Sequence, residues 1–121
     1  MQKIKNLACL LVFSLLLFSC GEYQKVLNKG SIEDQYKMAE KMYESKKYSK
    51  ALRLFEKVKP AYRGKPQMER LQFMISQSYF NTKDYFNAAY YFERFATNYP
   101  KSSKKEEAEF LVTVVNKKVN N

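Results

Sequence analysis

The chain of 121 residues has no histidine and no tryptophan, and only two cysteines, three glycines and three prolines. Without histidine it lacks the commonest general base and metal ligand, and Ser-His or Cys-His nucleophile pairs are excluded. Gly21, Gly30 and Gly64 are too dispersed to form a glycine-rich phosphate loop. Asp34 and Asp84 fall at separate helix starts rather than in one carboxylate pair. No catalytic residue, metal site or cofactor is therefore expected, and an enzyme is the least favoured class. Acidic residues are also scarce, 12 against 22 Lys and Arg, for a net charge of +10. What is plentiful is aromatic (16%) and apolar (45%) side chains, which with so little Gly and Pro point to one domain of helices packed by Tyr and Phe.

The amino-terminal segment has a three-part layout. Lys3 and Lys5 supply a positive start, and Leu7 to Phe18 is an apolar run of 12 residues broken only by Ser14. A permanent span needs about 20 residues, so the run matches the apolar region of a secretory signal instead. Leu17-Phe18-Ser19-Cys20 then resembles a bacterial lipobox. The resemblance implies a signal peptide at 1–19, cleavage between Ser19 and Cys20, and acylation of Cys20 as the new first residue. An ordinary signal with an incidental cysteine, or a short buried helix, are the bland alternatives. Cys9 leaves with the signal, and Cys20 is consumed by lipid, so the mature chain keeps no thiol. Gly21 rather than Asp follows the anchor, which by lipoprotein sorting rules favours the periplasmic face of the outer membrane. Residues 20–30 read as a lipidated tether to a helical domain at 31–121.

Self-comparison shows a repeat of 37 residues. This shift superposes Tyr48 on Tyr85, Ala51 on Ala88, Phe55 on Phe92 and Val58 on Phe95. It also places Tyr36 on Phe73, Met38 on Ile75, Ala39 on Ser76 and Tyr43 on Phe80, and a second shift reaches Phe110, Val112 and Thr113. Self-similarity at such a period marks stacked supersecondary units. Apolar residues recur at helical spacing, as at Tyr36, Ala39, Met42 and Tyr43. Ser31 with Asp34 and Ser103 with Glu106 suit capping boxes, Pro66 a first turn, and Pro60 and Pro100 helix ends. Helices are expected near 32–46, 48–60, 66–82, 84–98 and 103–118.

Asp84-Tyr85, Ala88, Phe92 and Phe95, closing on Tyr99-Pro100, resemble the second helix of a tetratricopeptide (TPR) repeat. The resemblance implies an all-α solenoid of helical hairpins, with repeats at about 31–65 and 66–100 and a partial third at 101–121, hence two repeats plus one unpaired helix. Ala39, Ala51, Phe55, Ser76, Ala88, Phe92 and Phe95 are assigned to packing alone. Small side chains let paired helices approach while aromatics fill the space beside them. The lipobox followed by Gly-Glu-Tyr-Gln-Lys-Val-Leu, Tyr48-Ser-Lys-Ala51-Leu, Ala61-Tyr-Arg-Gly64 and Ala88-Ala-Tyr-Tyr-Phe92 resembles the BamD/YfiO family of outer-membrane assembly lipoproteins, over about residues 20–111. That family resembles five stacked units, so the chain reads as truncated. After Leu111 the tail departs from the pattern, with Asn116 and Lys117 where Tyr79 and Phe80 stand one unit earlier. Its four β-branched residues from Val112 are poor helix formers, and marginal stability with an aggregation-prone end is expected.

TPR units bind along a concave face built from the first helix of each pair. Tyr36, Glu40 and Tyr43 of unit one and Arg70, Phe73, Gln77 and Phe80 of unit two should line it. The family resemblance implies the partners: the barrel-forming assembly subunit, and unfolded outer membrane proteins held by their aromatic carboxy-terminal strand. Arg70 would meet a terminal carboxylate. These aromatics could equally be core; that reading is favoured for Phe73 and balanced for Tyr36, Tyr43 and Phe80. Losing Lys3 and Lys5 leaves 20 basic against 12 acidic residues, a net of +8. Such a balance can attract nucleic acid, but no nucleic-acid motif is present, and anionic lipid or acidic protein segments suit an exported chain better. Another lipidated TPR adaptor of the envelope, or a non-functional remnant, are the competing readings.

Overall fold

A computed structural model describes residues 2–121, without the side chains of residues 14–19. It consists of six α-helices: α1 (Gln2–Lys29), α2 (Ile32–Glu44), α3 (Tyr48–Val58), α4 (Gln67–Asn81), α5 (Tyr85–Asn98) and α6 (Lys105–Asn120), with a 3₁₀ turn at Lys59–Tyr62. No strand occurs among the described residues. Helices α2 and α3 form one hairpin, α4 and α5 a second, and α6 packs along α5. This is the expected all-helical, TPR-like arrangement.

The 37-residue period is visible in the backbone itself. Lys46 and Lys83, one period apart, both adopt a left-handed conformation with φ of 61° and 64°. Around them the hydrogen bonds repeat residue for residue. Lys46 N–H donates to Tyr43 and Lys47 N–H to Met42; Lys83 N–H donates to Phe80 and Asp84 N–H to Tyr79. Both turns are Schellman-type helix ends, a position that favours glycine because a side chain there crowds the neighbouring carbonyl. Replacing Lys46 or Lys83 by Gly should therefore raise stability by about 0.5–1 kcal/mol each, net of the extra freedom glycine has when unfolded. Urea unfolding of the two single variants checks this; lower stability in both would show that the lysine side chains hold the turns.

The core has two adjoining parts. One gathers Met38, Ala39, Met42, Ala51, Leu54, Phe55 and Val58 with Leu71, Met74 and Ile75 from α4. The other joins Phe73 to Ala88, Phe92 and Phe95 of α5 and to Ala108 and Val115 of α6. All seven residues assigned to packing alone are fully buried. Helix α4 feeds both parts, so the hairpins are not independent.

Two expectations are corrected. The segment read as a tether is helical up to Lys29, and Tyr23 (3% exposed) and Leu27 (4%) belong to the core. Tyr23, Val26 and Leu27 lie at i, i+3 and i+4, so one face of this turn docks. The Tyr23 hydroxyl donates to the Lys50 carbonyl at 3.0 Å, and Gln35 Nε2 donates to the carbonyls of Val26 and Leu27 at 3.2 Å. Secondly, α6 has no capping box from Ser103 and Glu106. The chain turns at Tyr99–Ser102, Ser102 Oγ accepts from Lys104 N–H, and α6 begins at Lys105 without a side-chain cap. Ser31 does cap α2 as expected, accepting from Asp34 N–H at 3.0 Å. The helix expected near 103–118 is present as α6, and it takes in the β-branched run from Val112: Val115 is buried against α5 and packing outweighs propensity. Positions of the third unit differ from their counterparts: Phe110 is 66% exposed where Phe73 is 9% exposed, Thr113 is exposed where Ser76 is buried, and Val112 is half-buried where Ile75 is buried. Phe73 packs against its hairpin mate α5, and among the described residues no following helix covers Phe110.

Candidate membrane anchor and peptide groove

The first site is the amino-terminal helix. Ile4, Leu7, Leu10, Leu11, Val12 and Phe13 are exposed all round α1, and Cys20 is exposed on its continuation. Leu17 and Ser19, the lipobox residues before Cys20, lie outside the described side chains. Among the described residues no helix is long and apolar enough to cross a membrane. Cys20 precedes buried Tyr23 by three residues of continuous helix, an axial step of about 4.5 Å. Burial raises the pKa of the Tyr23 phenol, with Arg53 opposing. Lys50 stands over the Tyr23 ring at 5.3 Å, and the Lys57 ammonium donates to the Leu27 carbonyl. The end of α1 is thus held rigidly beside the basic side of α3.

The second site runs along the first helices of the hairpins, α2 and α4, towards α6. A groove of about 330 Å³ is lined by Tyr43, Arg70 and Phe73 together with Met74, Phe95 and Lys104. Of the seven residues expected there, these first three share it. Glu40 stands next to it, its carboxylate 3.2 Å from the Arg70 guanidinium. Gln77 bridges from α4 to Glu107 of α6 at 3.5 Å. Tyr36 is turned onto Tyr62 of the 3₁₀ turn, with ring centroids 5.0 Å apart, and Phe80 packs edge-on against Tyr85 at 6.0 Å. Tyr36 and Phe80 therefore sit beyond the two ends of the groove instead of in it.

Within the groove the aromatics serve fold and surface together. Phe73 contacts Phe95 at 5.3 Å, and the Lys104 ammonium stands over its ring, 5.5 Å from the centroid. Tyr43 packs edge-on against Phe55 at 6.3 Å and Tyr48 at 5.7 Å. Burial and then the neighbouring Tyr48 raise the Tyr43 pKa, with Arg70 pulling the other way, so the phenol stays neutral and can donate a hydrogen bond. A guanidinium has five donors, and the Glu40 contact leaves the remainder of Arg70 for a ligand. The loop Ser102–Lys104, part of the groove wall, was not foreseen; nothing in its composition distinguishes it from an ordinary connection.

Stacked hairpins with a groove across their first helices define a helical-repeat scaffold. The family model YfiO, outer membrane lipoprotein, matches residues 28–121, so the chain belongs to that family and is an outer membrane lipoprotein of the BamD type. A comparison with curated proteins finds no match.

Proposed function

We propose that the protein is a lipid-anchored scaffold of β-barrel outer membrane protein assembly, facing the periplasm. Acylated Cys20 holds it to the membrane, and the groove receives the aromatic carboxy-terminal strand of an unfolded barrel protein. The same scaffold contacts the barrel-forming subunit and has no chemistry of its own. The observation that carries this reading is the groove: an aromatic floor of Tyr43, Phe73 and Phe95 with Arg70 and Lys104 outnumbering the one acidic lining residue, Glu69. A strand ending in an aromatic residue and a free carboxylate satisfies both elements.

Changing Tyr43 and Arg70 together to Ala should weaken binding of a carboxy-terminal barrel-protein peptide by about tenfold while helix content is retained. Unchanged affinity would remove the groove from the account. Co-purification from membranes tests the partner separately: recovery of the barrel-forming subunit supports the assembly role, whereas a different envelope machine would identify another adaptor.

A further inference from the structure

Arg70, Phe73 and Gln77 face the groove side of α4. A helix turns by about 100° per residue, so Gln72 projects from nearly the opposite side to Arg70. There the 3₁₀ turn and α5 stand away from α4 and leave a second cleft of about 490 Å³. Its walls carry Lys59 and Arg63 on one side, Met68 and Gln72 on the floor, and Tyr91 and Arg94 on the other. None of the residues lining it is acidic.

Three observations define what the cleft can take. The first is unequal pairing of its cations. Lys59 is 3.0 Å from the Glu56 carboxylate and donates to the Tyr91 hydroxyl at 2.9 Å. Burial lowers its pKa, but the bonds to Tyr91 and Glu56 outweigh this and the ammonium is held. Arg63 and Arg94 form no ion pair among the described residues; Arg94 donates only to the Tyr90 hydroxyl, at 2.7 Å. The second is an orphaned acceptor. Gln72 Oε1 is buried with no hydrogen-bond donor, which buried polar atoms rarely lack. The third is the aromatic lining from Tyr90, Tyr91 and Tyr99.

A ligand matching this set brings an anion for two guanidinium forks and, close by, an N–H for Gln72. A phosphate group supplies the anion and has little to donate at neutral pH. A peptide carries a side-chain carboxylate and backbone N–H groups within one residue of each other, and its apolar side chains suit tyrosine faces. We infer that this cleft is a second peptide site, selective for an acidic segment of a partner protein. Carboxylates of the segment engage Arg63 and Arg94, and a neighbouring backbone N–H donates to Gln72 Oε1. The site is independent of the groove and does not rest on what the groove binds.

The test uses the full-length protein in detergent and an amidated, fluorescein-labelled peptide, Gly-Asp-Phe-Glu-Phe-Gly, read by anisotropy. Replacing Arg63 and Arg94 together by Gln should weaken binding at least tenfold. Gln72→Met should weaken it about fivefold and, by removing the orphaned acceptor, raise the melting temperature. Lys37→Gln, on the exposed side of α2 away from both clefts, should change it less than twofold, so a general loss of positive charge is told apart from loss of the site. Undiminished affinity in the double variant, equal binding of the Asn/Gln version of the peptide, or displacement by inorganic phosphate as easily as by unlabelled peptide would each overturn the inference. A lower melting temperature for Gln72→Met would overturn the role given to that side chain.

Discussion

Changing Cys20 to Ser should abolish incorporation of labelled palmitate and leave the chain at its unprocessed length. Acylation needs the sulfur, and in this reading cleavage before residue 20 follows acylation. The energetic consequence is large. Each buried CH₂ contributes about 0.8 kcal/mol, so two or three long chains hold almost irreversibly where one alone binds marginally. Residues 21–121 exported behind an ordinary cleavable signal should accordingly fractionate as soluble periplasmic protein. Palmitate labelling that survives in Cys20→Ser would refute the anchor assignment. The structure adds a geometric consequence: because Tyr23 and Leu27 dock, a lipid carried on Cys20 would be separated from the fold by less than one helical turn. The domain should stand against the membrane surface with the basic side of α3 nearest, where anionic headgroups favour it.

How far the residues alone disclose this arrangement differs by feature. Helix positions and the two-hairpin order follow from a period that copies Ala39 to Ser76, Ala51 to Ala88 and Phe55 to Phe92 into equally buried positions. The docking turn was legible too, since Tyr23, Val26 and Leu27 carry helical spacing, which the expectation of a tether overlooked. The wrong cap at Ser103 arose from a local choice between adjacent serines, which the turn at Tyr99 decides. The groove was legible only in part. Sequence spacing places Tyr36 and Phe80 on the same helix faces as Tyr43 and Phe73. Whether each meets a groove or a neighbouring ring depends on Tyr62 and Tyr85, which lie on other elements. The second cleft was not legible at all, because Arg63, Gln72 and Arg94 come from three separate elements and share no spacing.

Phe92→Ala should cost about 3–5 kcal/mol, a large part of the 5–15 kcal/mol that a domain of ordinary stability has in total. Phe92 is fully buried between α4, α5 and α6, with its ring 6.1 Å from that of Phe73, and truncation leaves a hole that rigid helices cannot close. The loss should not be felt evenly. In a stacked array each unit touches only its neighbours, so α5 and α6 depend directly on Phe92, whereas α2 and α3 are stabilised by Phe55, Leu54 and Val58 and by the docked end of α1. Amide hydrogen exchange should accelerate first and most from Tyr85 to Asn120, with the α2–α3 hairpin retaining more protection. Phe55→Ala, the matching change one period earlier, should reverse the gradient. Equal loss of protection in both hairpins in both variants would mean that α4, which contributes Leu71 and Ile75 to one part of the core and Phe73 to the other, couples them into a single cooperative unit.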